Sequence, residues 1–370
     1  MKRVLLFALA LFLITPFQSA NQSANAATQI IISEPTHRLI NGKFLNDSLA
    51  SKLLPNGALG VLIYKNTNIP NSWLVDPATI EEITAMSNGY GVIDGSTPTG
   101  QQVATDWLTQ FYRVTKYEKV AALTYGNPAK FWLSKLMPED VEYLDAISKI
   151  KLEQYLGKAA PDIVMSSNKQ QKISTSMQST FSFADKQFKL MSTVVDVKEF
   201  DPLKLRMAQL LNADITSTEL TPLYEDFQSE FNLVRNKLRV SKTKFTVTST
   251  KQDLPITVIN DFNSDVKLKL TTRAINSKVV VRPSEAIEIP AKTKVQVLLP
   301  VEVVASGNSS LLAQLSNLDN KPIGFPVYIN LKLSVISPIA TWITSGAAII
   351  LLIAAIVQSV RRFRRGKNEQ

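Results

Sequence analysis

No cysteine occurs anywhere in the 370 residues, and histidine occurs once, at His37. The first absence excludes disulfides, a thiolate nucleophile and thiolate metal sites, so the folded part must rely on hydrophobic cores. The second excludes a two-histidine zinc site and the spaced histidine pair of metal-dependent deacetylases. His37 itself, in Ser33-Glu34-Pro35-Thr36-His37-Arg38, is compatible with a general base and equally with a structural side chain. A Gly-x-Ser-x-Gly elbow is also missing. Gly89-Tyr90-Gly91 lacks the third glycine and the Lys-Ser ending of a phosphate-cradling loop. No cofactor and no metal are expected.

Charge is missing from one long stretch. Leu333 to Val360 carries no ionisable side chain, and Arg361-Arg362-Phe363-Arg364-Arg365-Gly366-Lys367 follows directly. About 20 apolar residues cross a bilayer core of roughly 30 Å, which predicts a transmembrane helix over residues 338–360. The basic tail, 361–370, is expected on the cytoplasmic side because Lys and Arg resist translocation. At the other end, Lys2-Arg3 precedes an apolar Val4–Ile14 run, and Ala24-Asn25-Ala26 offers a cleavage site. Residues 1–26 are therefore expected to be a signal peptide, with the bulk of the chain extracytoplasmic and the lipid bilayer as a partner. The formal charge is +10. Removing Lys2, Arg3 and the tail's net +4 leaves +4 on the exported part. That is no argument for nucleic acid.

Hydrophobic periodicity divides the exported part. Over residues 241–337 apolar residues alternate, as in Val266, Leu268 and Leu270 or Val295, Val297, Leu299, Val301 and Val303. Such alternation gives each strand one inward face. With turn formers such as Asn317-Leu318-Asp319-Asn320 between the runs, seven or eight short strands predict an immunoglobulin-like β-sandwich. Over residues 27–240, strands at Gln29–Ser33, Ser72–Val75, Lys119–Leu123, Asp162–Met165 and Leu190–Asp196 alternate with helices. Ser166–Thr180 reads as a polar excursion. Asp76-Pro77 and Asp201-Pro202 each put a capping carboxylate before a proline at the first helical position. The expected architecture is an α/β domain with a largely parallel sheet, either open or a degenerate barrel, then the sandwich and one C-terminal membrane helix.

Parallel sheets place their sites at the carboxyl ends of the strands. The candidate catalytic residues there are Asp76 and Asp94, with His37 beside them. Two carboxylates about 5 to 9 Å apart would suit glycoside hydrolysis. Asp76 is equally explained as a helix cap and Asp94, in Ile93-Asp94-Gly95, as a turn residue. Tyr125 and Asn127, in Tyr125-Gly126-Asn127-Pro128, occupy the place of a site loop and are candidate binding residues.

Four phrases resemble an uncharacterised actinobacterial family of envelope proteins carrying a domain of unknown function. They are Pro35-Thr36-His37-Arg38 with Phe44-Leu45-Asn46-Asp47 and Leu54-Pro55-Asn56-Gly57; Trp73-Leu74-Val75-Asp76-Pro77; Ala122-Leu123-Thr124-Tyr125-Gly126-Asn127-Pro128; and Leu254-Pro255-Ile256-Thr257-Val258-Ile259-Asn260-Asp261. The resemblance implies a signal peptide, an α/β region similar to deacetylase barrels, a β-sandwich, one membrane helix and a cell-envelope role. Asn127 stands where that pattern has an aspartate, which removes a carboxylate from the best site. The expectation is a non-catalytic binding or scaffold protein whose partner is a wall polymer or another envelope membrane protein. The alternative is a carbohydrate-active enzyme.

Overall fold

A computed structural model describes residues 29–65, 72–162, 164–282, 285–335 and 338–365. The expected signal peptide and the last five residues lie outside them.

Four parallel strands begin the chain: β1 (Gln29–Ile32), β2 (Ser72–Val75), β3 (Lys119–Leu123) and the two-residue β4 (Val164–Met165), in that spatial order. Among the described residues this sheet is open, with β1 and β4 as its edges. Between the strands run α1 (Ser48–Leu53), α2 (Ala58–Tyr64), α3 (Pro77–Ser87), α4 (Gln101–Thr115), α5 (Lys130–Leu136) and α6 (Val141–Leu156). Ile30, Ile32, Trp73, Val75, Val120 and Ala122 point to one face and are sealed there by Trp107 and Phe111 of α4 and by Ile80 and Ile83 of α3. The opposite face is covered at its centre, where Leu74 and Leu123 are buried, and bare at its edges, where Ile31 is 50% exposed and Met165 43%. Parallel sheets are ordinarily buried on both faces, so this partly bare face stands out.

After β4 the chain turns helical, with α7 (Thr175–Met191), α8 (Asp201–Leu210) and α9 (Ser217–Asn236). The strand expected at Leu190–Asp196 does not form. Met177, Phe181, Ala184, Phe188 and Met191 share the buried stripe of α7, and Ser174 caps it by accepting from the Met177 N–H. Helical spacing carries α7 through Leu190 and Met191, and Val194 and Val195 then turn back, both N–H groups donating to the Met191 carbonyl. The expected polar excursion at Ser166–Thr180 accordingly shrinks, since its last residues are the first turns of this helix.

The β region has nine described strands, eight of them within residues 241–337 as expected and one, β5, just before: β5 (Leu238–Val240), β6 (Lys244–Val247), β7 (Lys251–Asn260), β8 (Val266–Ala274), β9 (Val279–Val281), β10 (Ala286–Ile289), β11 (Thr293–Val303), β12 (Gly307–Ser316) and β13 (Pro322–Leu333). They form one sheet in the order β10-β8-β12-β13-β6 and another in the order β5-β7-β11-β9. Both sheets send alternate residues, such as Leu268, Leu311 and Ile329 from one and Ile256, Val258 and Leu299 from the other, into a single hydrophobic cluster. That cluster continues without a break into α5 and α7–α9. Aromatic contacts mark the seam: Phe188 stacks on Phe200, which meets Phe262 at 6.0 Å, and the Arg235 guanidinium lies 4.1 Å from the Phe325 ring.

The last element, α10 (Pro338–Arg365), contains one window, Trp342–Arg361, long and apolar enough to cross a membrane. None of that window is buried inside the protein. Helical structure runs on past Val360 to Arg365, into the first basic residues of the tail.

Candidate functional site

The carboxyl ends of β1, β2 and β3 meet in a buried polar cluster. The chain leaves β2 at Asp76, whose backbone N–H donates to the Ile32 carbonyl at 2.8 Å. Its side chain caps α3, accepting from the Ala78 N–H at 3.0 Å, and reaches across to accept from the Gly126 N–H at 2.9 Å. Asp76 is fully buried. Burial pushes its carboxyl up to about 7, against the opposing pull of the two backbone N–H groups. Gly126 is required at its place. Its φ is +77°, and a Cβ there would lie 2.8 Å from the Gln209 backbone on α8.

His37 is also fully buried. Its Nε2 lies 3.1 Å from Glu34 Oε1 and its Nδ1 3.3 Å from the Ser48 hydroxyl. Its backbone N–H donates to Glu82 Oε2 at 2.9 Å. The other Glu82 oxygen takes the Thr36 hydroxyl, which in turn accepts from Arg206 Nη1 at 2.8 Å. Glu34 further pairs with Lys52. The imidazole is thus enclosed by partners and reaches no open surface.

Tyr125 is buried, its hydroxyl donating to Glu81 Oε2 at 3.0 Å. Burial, followed by the Glu81 charge, holds this phenol well above its usual range. Lys151 neutralises Glu81 at 2.8 Å. Asn127 follows with φ +45°, a left-handed conformation that Asn tolerates better than most residues. Its amide donates to the Ser33 hydroxyl at 2.9 Å, while its buried Oδ1 has no hydrogen-bond partner among the described residues.

Asn127 opens onto a groove of about 610 Å³ along the partly bare face of the sheet. Ile31, Leu74, Leu123 and Met165 form its apolar floor, and Ser33, Ser166, Ser167 and Asn168 add hydroxyls and an amide. Lys169 and Asp214 also line it, and they neutralise one another at 2.9 Å. Asp94 lies apart, on an exposed turn where the Ser96 backbone N–H bonds its carboxylate at 2.9 Å and holds its pKa below the usual value. The structure therefore gathers His37, Asp76, Tyr125 and Asn127 around the same strand ends, and leaves Asp94 outside. Among the described residues no group of three or more His, Asp or Glu is arranged to hold a metal ion.

Glu82 and Arg206 were not singled out from sequence, yet they link α3 to α8. A signal existed. Glu82 sits between Ala78 and Met86 on the buried stripe of α3, and Arg206 between Leu203 and Leu210 on that of α8. A charged residue at helical spacing within an apolar stripe must be paired or exposed.

A parallel α/β layer, a two-sheet β region and one membrane-capable helix define a modular protein with a solvent-facing groove. The chain belongs to the Family of unknown function (DUF6049), whose pattern matches residues 134–368. That span starts beyond the first three parallel strands. No curated protein matches the chain. Among solved structures, WR4, a C. elegans MSP family member, is 12% identical, covering 26% of this chain and 97% of its own with a TM-score of 0.21. The E. coli chaperone DraB is 12% identical over 27% of this chain and 57% of its own, at a TM-score of 0.20. The PapD-like domain 7 of human CEP192 is 10% identical over 27% and 87%, at 0.21. Overlaps this slight say nothing about what the chain does.

Proposed function

We propose that the chain is a membrane-anchored, extracytoplasmic envelope protein that binds without catalysing, its groove taking an uncharged stretch of wall polymer. In this reading residues 1–26 direct export, α10 anchors the chain with its basic end inside, and residues 241–337 form an Ig-like spacer carrying the head, residues 27–240. One observation carries the proposal: His37 and Asp76 are sealed and Asp94 is distant, while the open groove presents hydroxyls, amides and apolar floor, its one carboxylate, Asp214, being paired with Lys169. His37 and Asp76 have no exposed surface. Asn127 lines that groove, and its amide holds the Ser33 hydroxyl, also a lining group, at 2.9 Å. Apolar floor with a few fixed polar groups is the ordinary chemistry of a small-molecule or polymer subsite.

The test is co-sedimentation of the detergent-solubilised full chain with purified peptidoglycan. Ile31→Lys alters an exposed side chain on the floor and is expected to abolish pelleting while the protein stays folded. Asp94→Ala is expected to pellet like the parent. Release of reducing ends or acetate that disappears in Asp76→Asn would instead establish the carbohydrate-active enzyme.

A further inference from the structure

A second opening lies on the other side of the strand-end cluster, between α3 and α8. It is a cleft of about 330 Å³ whose walls include Arg38, Glu81, Glu82, Lys198, Arg206 and Gln209. Nothing in the groove reading uses it.

Its cations are under-partnered. Arg206 is 5% exposed, donates through Nη1 to Thr36, and its Nε has no hydrogen-bond partner among the described residues. Among the described residues no carboxylate lies within 4.0 Å of it. Burial lowers its pKa, so the guanidinium is poorly solvated where it stands. The nearest acids are committed elsewhere. Glu82 accepts from the Thr36 hydroxyl and the His37 N–H, and Asp226 accepts from the Ile40 N–H at 2.8 Å. Among the described residues the one acid paired with Arg38 is Glu81, at 3.9 Å, and Glu81 is already held by Lys151 and Tyr125. Lys198 is exposed at the rim. Buried guanidinium donors without a carboxylate are costly unless something supplies one.

We propose that this cleft binds a small carboxylate, clamped between Arg206 at its base and Arg38 at its mouth. Arginine matches a carboxylate bidentately through its planar fork. Three cations, Arg38, Lys198 and Arg206, and three acids, Glu81, Glu82 and Asp201, line the cleft, and Lys151 neutralises Glu81, which leaves one positive charge in excess. A singly charged carboxylate fits that balance, whereas a doubly charged phosphate meets repulsion from all three acids. The volume suits a chain end or amino-acid-sized acid.

Titration calorimetry on the full chain in detergent tests the assignment, with N-acetylalanine, its neutral amide N-acetylalaninamide, and inorganic phosphate as probes at pH 7. The acid is expected to bind at least about tenfold tighter than the amide, a difference of one decade in Kd. Arg38→Gln and Arg206→Lys are each expected to weaken it about tenfold or more. Arg38→Gln carries the test if Arg206→Lys does not fold, since Arg38 is only partly buried and its replacement leaves the melting temperature unchanged. Equal binding of acid and amide, or no heat from the acid, overturns the proposal. Phosphate binding tighter than the acid overturns the carboxylate assignment. Peptidoglycan pelleting reads Ile31 and carboxylate binding reads Arg38, so either reading can fail without the other.

Discussion

Asp76 and Gly126, fifty positions apart, are joined by a 2.9 Å hydrogen bond from the Gly126 N–H to the Asp76 carboxylate. The bond ties the end of β2 to the loop after β3, and it makes Asp76 a structural residue with an unusual proton affinity. Because the folded pKa, about 7, is raised above the carboxyl's ordinary 3.8, the native state holds the proton more tightly than the unfolded chain. Between those values the unfolded state binds fewer protons, so stability falls as pH rises from about 4 to about 7. The loss approaches about 4 kcal/mol if the whole shift is expressed, at roughly 1.4 kcal/mol per pH unit. Asp76→Asn removes the titration while keeping an acceptor oxygen for both N–H groups. Its urea stability is expected to be flat across that window, and Asp76→Ala is expected to cost about 2–4 kcal/mol by orphaning both donors.

Gly126→Ala tests the close approach behind that bond. The added methyl meets the Gln209 backbone at 2.8 Å and sits at φ +77°. Two faults combine, and a loss of about 2–4 kcal/mol is expected. Gly42→Ala is the control, since its φ is +90° but nothing lies within 4 Å of the new Cβ. It is expected to lose only about 1 kcal/mol, from backbone strain alone. Denaturant midpoints of the two variants separate crowding from strain.

Thr216 and Glu219 form a capping box at the start of α9, each side chain serving the other's backbone. Glu219 Oε1 also lies 3.7 Å from His37 Nδ1. Thr216→Ala is expected to cost about 1 kcal/mol, the usual value of a lost cap. Hydrogen exchange should speed up first in the opening turn of α9, leaving the β region unchanged.

Much of this architecture could be read from the chain. The first three parallel strands and α3 fall where Asp-Pro caps and apolar runs put them. Alternation over Val295–Val303 announced β11, the eleven-residue strand Thr293–Val303. Short elements were harder. The seven-residue helices α2 and α5 carry no side-chain cap, and Val194-Val195 drew the reading toward a strand that α7 overrides. In the site, Asp76 announced itself because a cap is a local event, and Asn127 because it sits in the loop that directly follows a strand. Arg206 did not, because it meets Thr36 across 170 positions and only tertiary packing creates that pair.

The membrane-capable helix α10 can be tested in the same way. Leu351 and Ile353 lie mid-span on α10 and are exposed on the described surface. Changing both to Arg places two charges near the bilayer centre, each costing about 2.5–3.5 kcal/mol on insertion scales. The double variant is expected to shift from the membrane fraction to the carbonate-extractable fraction.

The absence of cysteine makes the orientation of the whole chain directly measurable, since any introduced thiol is unique. With Asp94→Cys on the exposed turn and, separately, Lys367→Cys in the basic tail, intact cells are treated with a membrane-impermeant maleimide. The head thiol is expected to label in intact cells and the tail thiol only after permeabilisation. Labelling of the tail in intact cells, with the head protected until permeabilisation, would contradict an outward-facing binding head and with it the proposed function.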